Sequence, residues 1–224
     1  MDKIPLIQKW LQYKYHNQLV YCVIYGSLVY GTSHHDSDID LIIVLKDDYP
    51  NIPNDTVSLH EEHIGHIDIT YYSITLFNLD LKNSEVKAVE SIFIPEQFII
   101  IGNQKYFQQH FVCTPQSIRH TFGKVCRNAW NKGVKKLTRE TEHHEHNRGK
   151  KSLYHSIRLF HFALQLYENK RIDFNTSEMK EINNFYFNIK DKKTSELVQD
   201  NKLIDSLTQL YNQWDHKFKQ IPKI

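Results

Sequence analysis

Residues 24–44 read Ile-Tyr-Gly-Ser-Leu-Val-Tyr-Gly-Thr-Ser-His-His-Asp-Ser-Asp-Ile-Asp-Leu-Ile-Ile-Val. An apolar run stops at Gly26-Ser27; ten residues later Asp38-Ile39-Asp40 opens a second apolar run, which continues to Leu45. In a strand, residues two apart point to the same face, so Asp38 and Asp40 project together with Ile39 behind them. Two neighbouring carboxylates repel each other and gain from a cation placed between them. An acidic turn is the plainer reading, since Asp-Ser-Asp is also good turn chemistry. The Gly-Ser element and the flanking apolar runs favour the cation.

The rest of the chain sets the frame for that stretch. Its 224 residues suggest one large domain or two small ones, and 40% apolar with 24% charged residues is ordinary globular composition. The net charge of +2 announces no nucleic-acid partner, so such binding needs a local patch. Cys22, Cys113 and Cys126 lack metal-ligand spacing and read as free thiols of a reducing compartment. The N-terminus carries no apolar signal region, and no apolar run approaches the ~18 residues of a membrane span. The expectation is a cytoplasmic protein without membrane association.

Periodicity divides the chain. Ile4, Ile7, Leu11 and Tyr15 lie at helical spacing, and Leu19–Tyr25 is a β-branched and aromatic strand. Ile39–Leu45, nearly all apolar, is a strand buried on both faces. Pro50, Asn51, Pro53 and Asn54 form a loop, and residues 57–61 and 66–73 read as two strands joined near Gly65. Beyond residue 74 helical spacing dominates. Ser84 is the expected cap of a helix ending before Pro95, and Pro115 opens another reaching about residue 137. Residues 138–150 read as a polar loop or frayed end. Leu153, Ile157, Phe160, Leu164 and Tyr167 form the stripe of a strong helix over 151–169. Thr176 or Ser177 caps a further helix, and residues 195–219 supply the last. The expected organisation is an α/β head over residues 1–80 and an all-helical part over 81–224.

Gly26 permits a tight turn and close approach of a ligand to the backbone, and Ser27 adds a hydroxyl at an expected helix N-terminus, which suits a phosphate. Beside two carboxylates, the arrangement holds a metal-bound polyphosphate, with Asp38 and Asp40 as ligands of Mg²⁺. A pair of metals, one organising a triphosphate and one activating a hydroxyl, needs a third carboxylate. Asp68, in a strand between Ile67 and Ile69, is the candidate; the plainer reading is an outward strand residue. Asp36, Asp47, Asp48 and Asp80 are weaker alternatives, in loops or turns.

Gly26-Ser27, Asp38-Ile39-Asp40 and a lone strand Asp68 together resemble the nucleotidyltransferase superfamily of DNA polymerase β. The resemblance implies an α+β fold, with a mixed sheet flanked by helices as the head and an all-helical domain after it. It implies transfer of a nucleotidyl group from an NTP with release of pyrophosphate. Asp38, Asp40 and Asp68 would be catalytic metal ligands for two Mg²⁺ ions, with Mn²⁺ as substitute, and Gly26 and Ser27 would hold the β- and γ-phosphates. A narrower resemblance, to the RNA-repair-pathway nucleotidyltransferases of bacteria and phages, rests on residues 26–32 and 36–40, on Ala88-Val89-Glu90-Ser91-Ile92-Phe93, on residues 151–159 and on the stretch from 181 to 191. It implies an RNA 3′ end as acceptor. The His-rich residues 143–146 depart from that pattern.

Lys151, His155 and Arg158 share a helix face and are candidates to grip the triphosphate, where a cation stabilises the leaving pyrophosphate; a solvated basic face is the plainer reading. Glu90, if buried, is expected to pair with one of these cations. Residues 124–136 are basic around Trp130, a surface for phosphates and a stacked base or simply an amphipathic helix. His60, His63 and the His143-His144-Glu145-His146 cluster lack cysteine support and helical zinc spacing. Two other readings stay open: a transferase acting on a protein side chain or a small hydroxylated molecule, and a non-catalytic nucleotide- or RNA-binding module.

Overall fold

The structure, a computed structural model, describes residues 4–49, 60–139, 142–193 and 201–223. The loop expected at Pro50, Asn51, Pro53 and Asn54, residues 57–59 of the expected strand and residues 195–200 of the last helix lie outside the described residues. The chain forms two compact units, 1–112 and 113–224.

The first unit is built on five strands: β1 (Leu19–Tyr25), β2 (Ile39–Leu45), β3 (His60–Ile64), β4 (Ile67–Ser73) and β5 (Ile99–Ile101). Their order is β3-β4-β2-β1-β5, with β2 and β4 parallel and the other pairs antiparallel, which makes a mixed sheet. Helices α1 (Ile4–Tyr15), α2 (Ser27–Tyr30), α3 (Ile74–Lys82), α4 (Val86–Ser91) and α5 (Gln104–His110) accompany it.

Burial on both faces explains why β1 and β2 are apolar almost throughout. Helix α1 buries Ile7, Leu11 and Tyr15, and the Tyr15 hydroxyl lies 2.7 Å from that of Tyr71 on β4. Phe77 of α3 meets Tyr72 and Tyr21 at ring-centroid distances of 5.2 and 6.2 Å, and Phe107 of α5 adds a contact to Phe77 at 5.0 Å. These rings are fully buried, each worth about 1.5–3 kcal/mol of transfer free energy.

Two expectations need correction. The head does not end at residue 80 but at 112, because the short strand β5 pairs with β1 and α5 packs on the same core. Nor does Ser84 cap α4. It is fully buried with φ +58°, part of the tight link in which the Ser84 and Glu85 N–H groups donate to the Leu81 and Asp80 carbonyls; Glu85 is the N-cap.

The second unit contains α6 (Pro115–Arg139), α7 (His143–Asn169), α8 (Ser177–Lys190) and α9 (Asn201–Lys219). The His-rich residues, expected as a loop or a frayed helix end, form the first turn of α7. Glu145 there pairs with Lys136 of α6 and with Arg148. Helices α6 and α7 run antiparallel and touch through glycines: a Cβ on Gly133 would lie 2.6 Å from Leu153, and one on Gly149 would lie 3.1 Å from the Gly133 carbonyl. Thr176 caps α8 as expected, its hydroxyl accepting from the Met179 N–H.

Two histidines of α7 set this unit's response to acid. His161 is 5% exposed beside Thr176, and burial pushes its pKa down to about 4. His155 is pushed down to about 3, first by burial and then by Arg158 and Lys132. Both are neutral in the folded unit at pH 7. A depressed pKa contributes stability that is complete above the unfolded value of about 6.5 and is lost as pH falls toward the folded value. Melts followed by circular dichroism should therefore give a lower Tm at pH 4.5 than at pH 7, with a smaller difference in His161→Gln. Equal slopes in the two proteins would contradict this assignment.

Candidate active site

The strand register brings together four residues that are far apart in sequence. Asp40 on β2 is the Cα partner of Tyr25 on β1 and of Asp68 on β4, and Asp68 is in turn the partner of His63 on β3. One row, His63–Asp68–Asp40–Tyr25, thus crosses four neighbouring strands on one face. Asp38 stands two residues before Asp40 at the same end, where the Ile39 N–H donates to the His66 carbonyl at 2.8 Å. Ile39 is half-buried rather than fully covered. The three expected carboxylates meet at one end of β2 and β4.

Gly26 follows Tyr25 with φ +77° and ψ −149°, a conformation open essentially to glycine alone. A Cβ there would lie 1.9 Å from Asp40 Oδ2, so the turn backbone rests against that carboxylate. Ser27 starts α2, a helix of only four residues; the Val29 and Tyr30 N–H groups both donate to the Gly26 carbonyl, and Gly31 at φ +72° ends it.

The charge pattern at these strand ends suits a cation. Asp68 and Asp38 keep 47% and 44% of their side chains exposed, so ligands can reach them. Each carboxylate meets an imidazole: His63 Nδ1 at 2.5 Å from Asp68, and His66 Nδ1 at 3.2 Å from Asp38. The hydrogen bond to Asp68 pushes the His63 pKa up. Three carboxylates offer only hard oxygen donors, the set that Mg²⁺ and Mn²⁺ take. The residues present fit such an ion.

A cavity of about 350 Å³ opens on the β4 side of the row, lined among others by Asp40, Asp68, Glu61, Thr70 and Lys87. Lys87 reaches from α4, its ammonium 3.2 Å from both Thr70 Oγ1 and Glu61 Oε1. Sequence reading passed over Lys87 and Tyr25. The only signal for Tyr25 was its place before Gly26, and for Lys87 its position three residues before Glu90 on one helix. Glu90 is fully buried and accepts from two phenols, the Tyr25 and Tyr30 hydroxyls, each at 2.6 Å.

The remaining candidates, Lys151, His155 and Arg158, lie on α7 in the second unit. They do not form one solvated face: Lys151 is exposed, whereas Arg158 is 2% exposed, 3.0 Å from His155 Nδ1 and packed over Tyr154 and Phe162. Trp130 stacks on Tyr211 at 4.2 Å, so that face of its ring is covered. Of the expected histidine clusters, His63 serves Asp68, and His144 pairs with Glu142 and Glu145. A different group, His34, His35 and Asp36, gathers on the exposed loop before Asp38.

Residues 7–104 match the family model described as "Polymerase beta, Nucleotidyltransferase". No curated protein matches the chain. Among solved structures, it is similar to a nucleotidyltransferase-like protein from Exiguobacterium sibiricum 255-15, at 11% identity and TM-score 0.35 over 95% of this chain and 73% of that one. It is also similar to spectinomycin adenyltransferase AAD(9) from Enterococcus faecialis, whose structure holds ATP and spectinomycin, at 12% identity and TM-score 0.42 over 98% of this chain and 99% of that one. The matched segment, residues 7–104, thus holds the mixed sheet, the carboxylate row and the glycine turn, and it is similar to nucleotidyltransferase domains of the polymerase β type; a helical unit follows it here.

Proposed function

We propose that the chain transfers a nucleotidyl group from an NTP to an acceptor hydroxyl, and that it does so with Mg²⁺, or Mn²⁺ in its place. The observation that carries this reading is the register of Asp40 against Asp68, with Asp38 beside them and the Gly26 backbone against Asp40. When bound, the divalent ion supplies charge neutralisation for the phosphates and polarises the oxygens it holds. The protein's own part is positioning. Asp38, Asp40 and Asp68 hold the ion, and the Gly26-Ser27 turn holds the β- and γ-phosphates through backbone N–H groups and the Ser27 hydroxyl. The acceptor oxygen attacks the α-phosphorus, the bond to the bridging oxygen breaks, pyrophosphate leaves, and Asp68 takes the hydroxyl proton. Cys22, Cys113 and Cys126 take part in no disulfide among the described residues, which supports an intracellular setting.

For the acceptor, an RNA 3′ end draws support from α6, where Lys124, Arg127, Lys132 and Lys135 are exposed and suit a polyanion. This is the reading that joins the chain to RNA repair or end modification. A small-molecule hydroxyl is the second reading, favoured by the cavity beside Asp68, whose volume fits a compact ligand and whose wall carries Glu61. Incubation with each α-labelled NTP and a divalent ion, against pools of small RNAs and of hydroxylated amines, separates them. Labelled RNA supports the first reading and a labelled small molecule the second. Label on protein identifies an adenylylating enzyme. Nucleotide binding without transfer to any acceptor class identifies a binding module and overturns the proposal.

A further inference from the structure

We infer that Glu90 is a positioning residue for the phosphate-holding turn, acting through Tyr25 and Tyr30; this rests on reading Gly26-Ser27 as that turn. Tyr25 immediately precedes Gly26, and Tyr30 is the last residue of the short helix that Ser27 begins. Both hydroxyls donate to one oxygen, Glu90 Oε2, at 2.6 Å. One carboxylate therefore ties the two ends of the turn together from behind.

The turn has reason to need such a tie. Its Gly26 conformation is rarely populated, and α2 is too short to hold itself by helical cooperativity. Glu90 is fully buried, an expensive place for a carboxylate unless strong donors meet it. A carboxylate accepts only, so it takes two phenol donors on one oxygen and leaves no N–H of its own to satisfy, as glutamine would.

Helix α4 is itself fixed to the sheet. The Tyr21 hydroxyl on β1 donates to the Ser91 carbonyl at 2.9 Å, and Lys87 contacts Thr70, two residues beyond Asp68 on the same strand face. The six residues of α4 thus relate the strand that carries Asp68 to the turn that rests on Asp40. Glu90 keeps the turn at a constant height over the carboxylates.

The test uses Tyr25→Phe/Tyr30→Phe, which removes both donors and keeps the rings. In the free protein, hydrogen exchange at the Val29 and Tyr30-position amides reports the turn and needs no substrate. We expect exchange there to rise about tenfold or more, with β2 and β4 amides unchanged. In transfer assays the NTP KM should rise about tenfold while the acceptor KM stays constant. Glu90→Gln, which keeps an acceptor oxygen but buries an amide N–H, should fall between the wild type and Glu90→Ala, and Glu90→Ala should match the double variant. Unchanged exchange in the double variant overturns the inference, and so does faster exchange with an unchanged NTP KM, the mark of a purely structural tie. If the wild type transfers no nucleotide to any acceptor, the functional reading fails, while the exchange comparison still decides whether Glu90 holds the turn.

Discussion

Asp40→Asn is expected to abolish nucleotidyl transfer, by about 10³-fold or more, and to leave the fold intact. Asp40 sits between Tyr25 and Asp68 in the cross-strand row and beneath the Gly26 backbone. Asparagine matches its shape but loses the charge that a divalent ion needs, and the relief of repulsion from Asp68 favours folding if anything. Asp68→Asn should fall as far, because it removes both a ligand and the proposed proton acceptor. Transfer rates together with a thermal melt decide the point. A variant of either kind that transfers at the wild-type rate removes the carboxylate row from the chemistry, and one that fails to melt cooperatively makes it a fold element.

Gly26→Ala is the second change with a large expected effect. The new methyl would sit 1.9 Å from Asp40 Oδ2 and 2.7 Å from its Cγ, so the carboxylate must swing away. The backbone at φ +77° is strained for any residue with a Cβ, at about 1–3 kcal/mol. Loss of stability should be moderate, because Gly26 lies beyond the end of β1. Loss of activity should be larger, since moving a reacting group by about 1 Å costs on the order of 10²-fold. The ratio of the two effects is diagnostic: a fall of about 10²-fold in kcat/KM with a Tm lowered by only a few degrees is the expected result. A fully active Gly26→Ala enzyme would mean that the turn does not lie over the reaction centre.

The carboxylate site was legible because its parts are local or patterned. Asp38 and Asp40 are two apart in a strand, the Gly-Ser stop precedes them by a fixed spacing, and Asp68 stands out as a charge between isoleucines. The strands and the long helices followed from period 2 and period 3.6 in the same way. What escaped was set by register and tertiary pairing. No spacing rule places His63 opposite Asp68, since that depends on where the β3–β4 hairpin turns. Glu90 lies 65 and 60 residues from Tyr25 and Tyr30 and meets them only because α4 folds back over β1. The first unit extends past residue 80 because of a three-residue strand, too short for periodicity to reveal. Arg158 read as a surface cation because its charge was weighed above its packing, whereas in the fold it is enclosed by aromatic rings.

The central claim is that Asp38, Asp40 and Asp68 hold a divalent ion together with a nucleoside triphosphate. Its most direct test is titration of Mn²⁺, followed by electron paramagnetic resonance, into the wild type and Asp40→Asn with and without a non-hydrolysable NTP. Mn²⁺ binding to the wild type that tightens when the NTP is added, and that is lost in the Asp40→Asn protein, is the result this account predicts. Equal Mn²⁺ and nucleotide binding by the two proteins would contradict it.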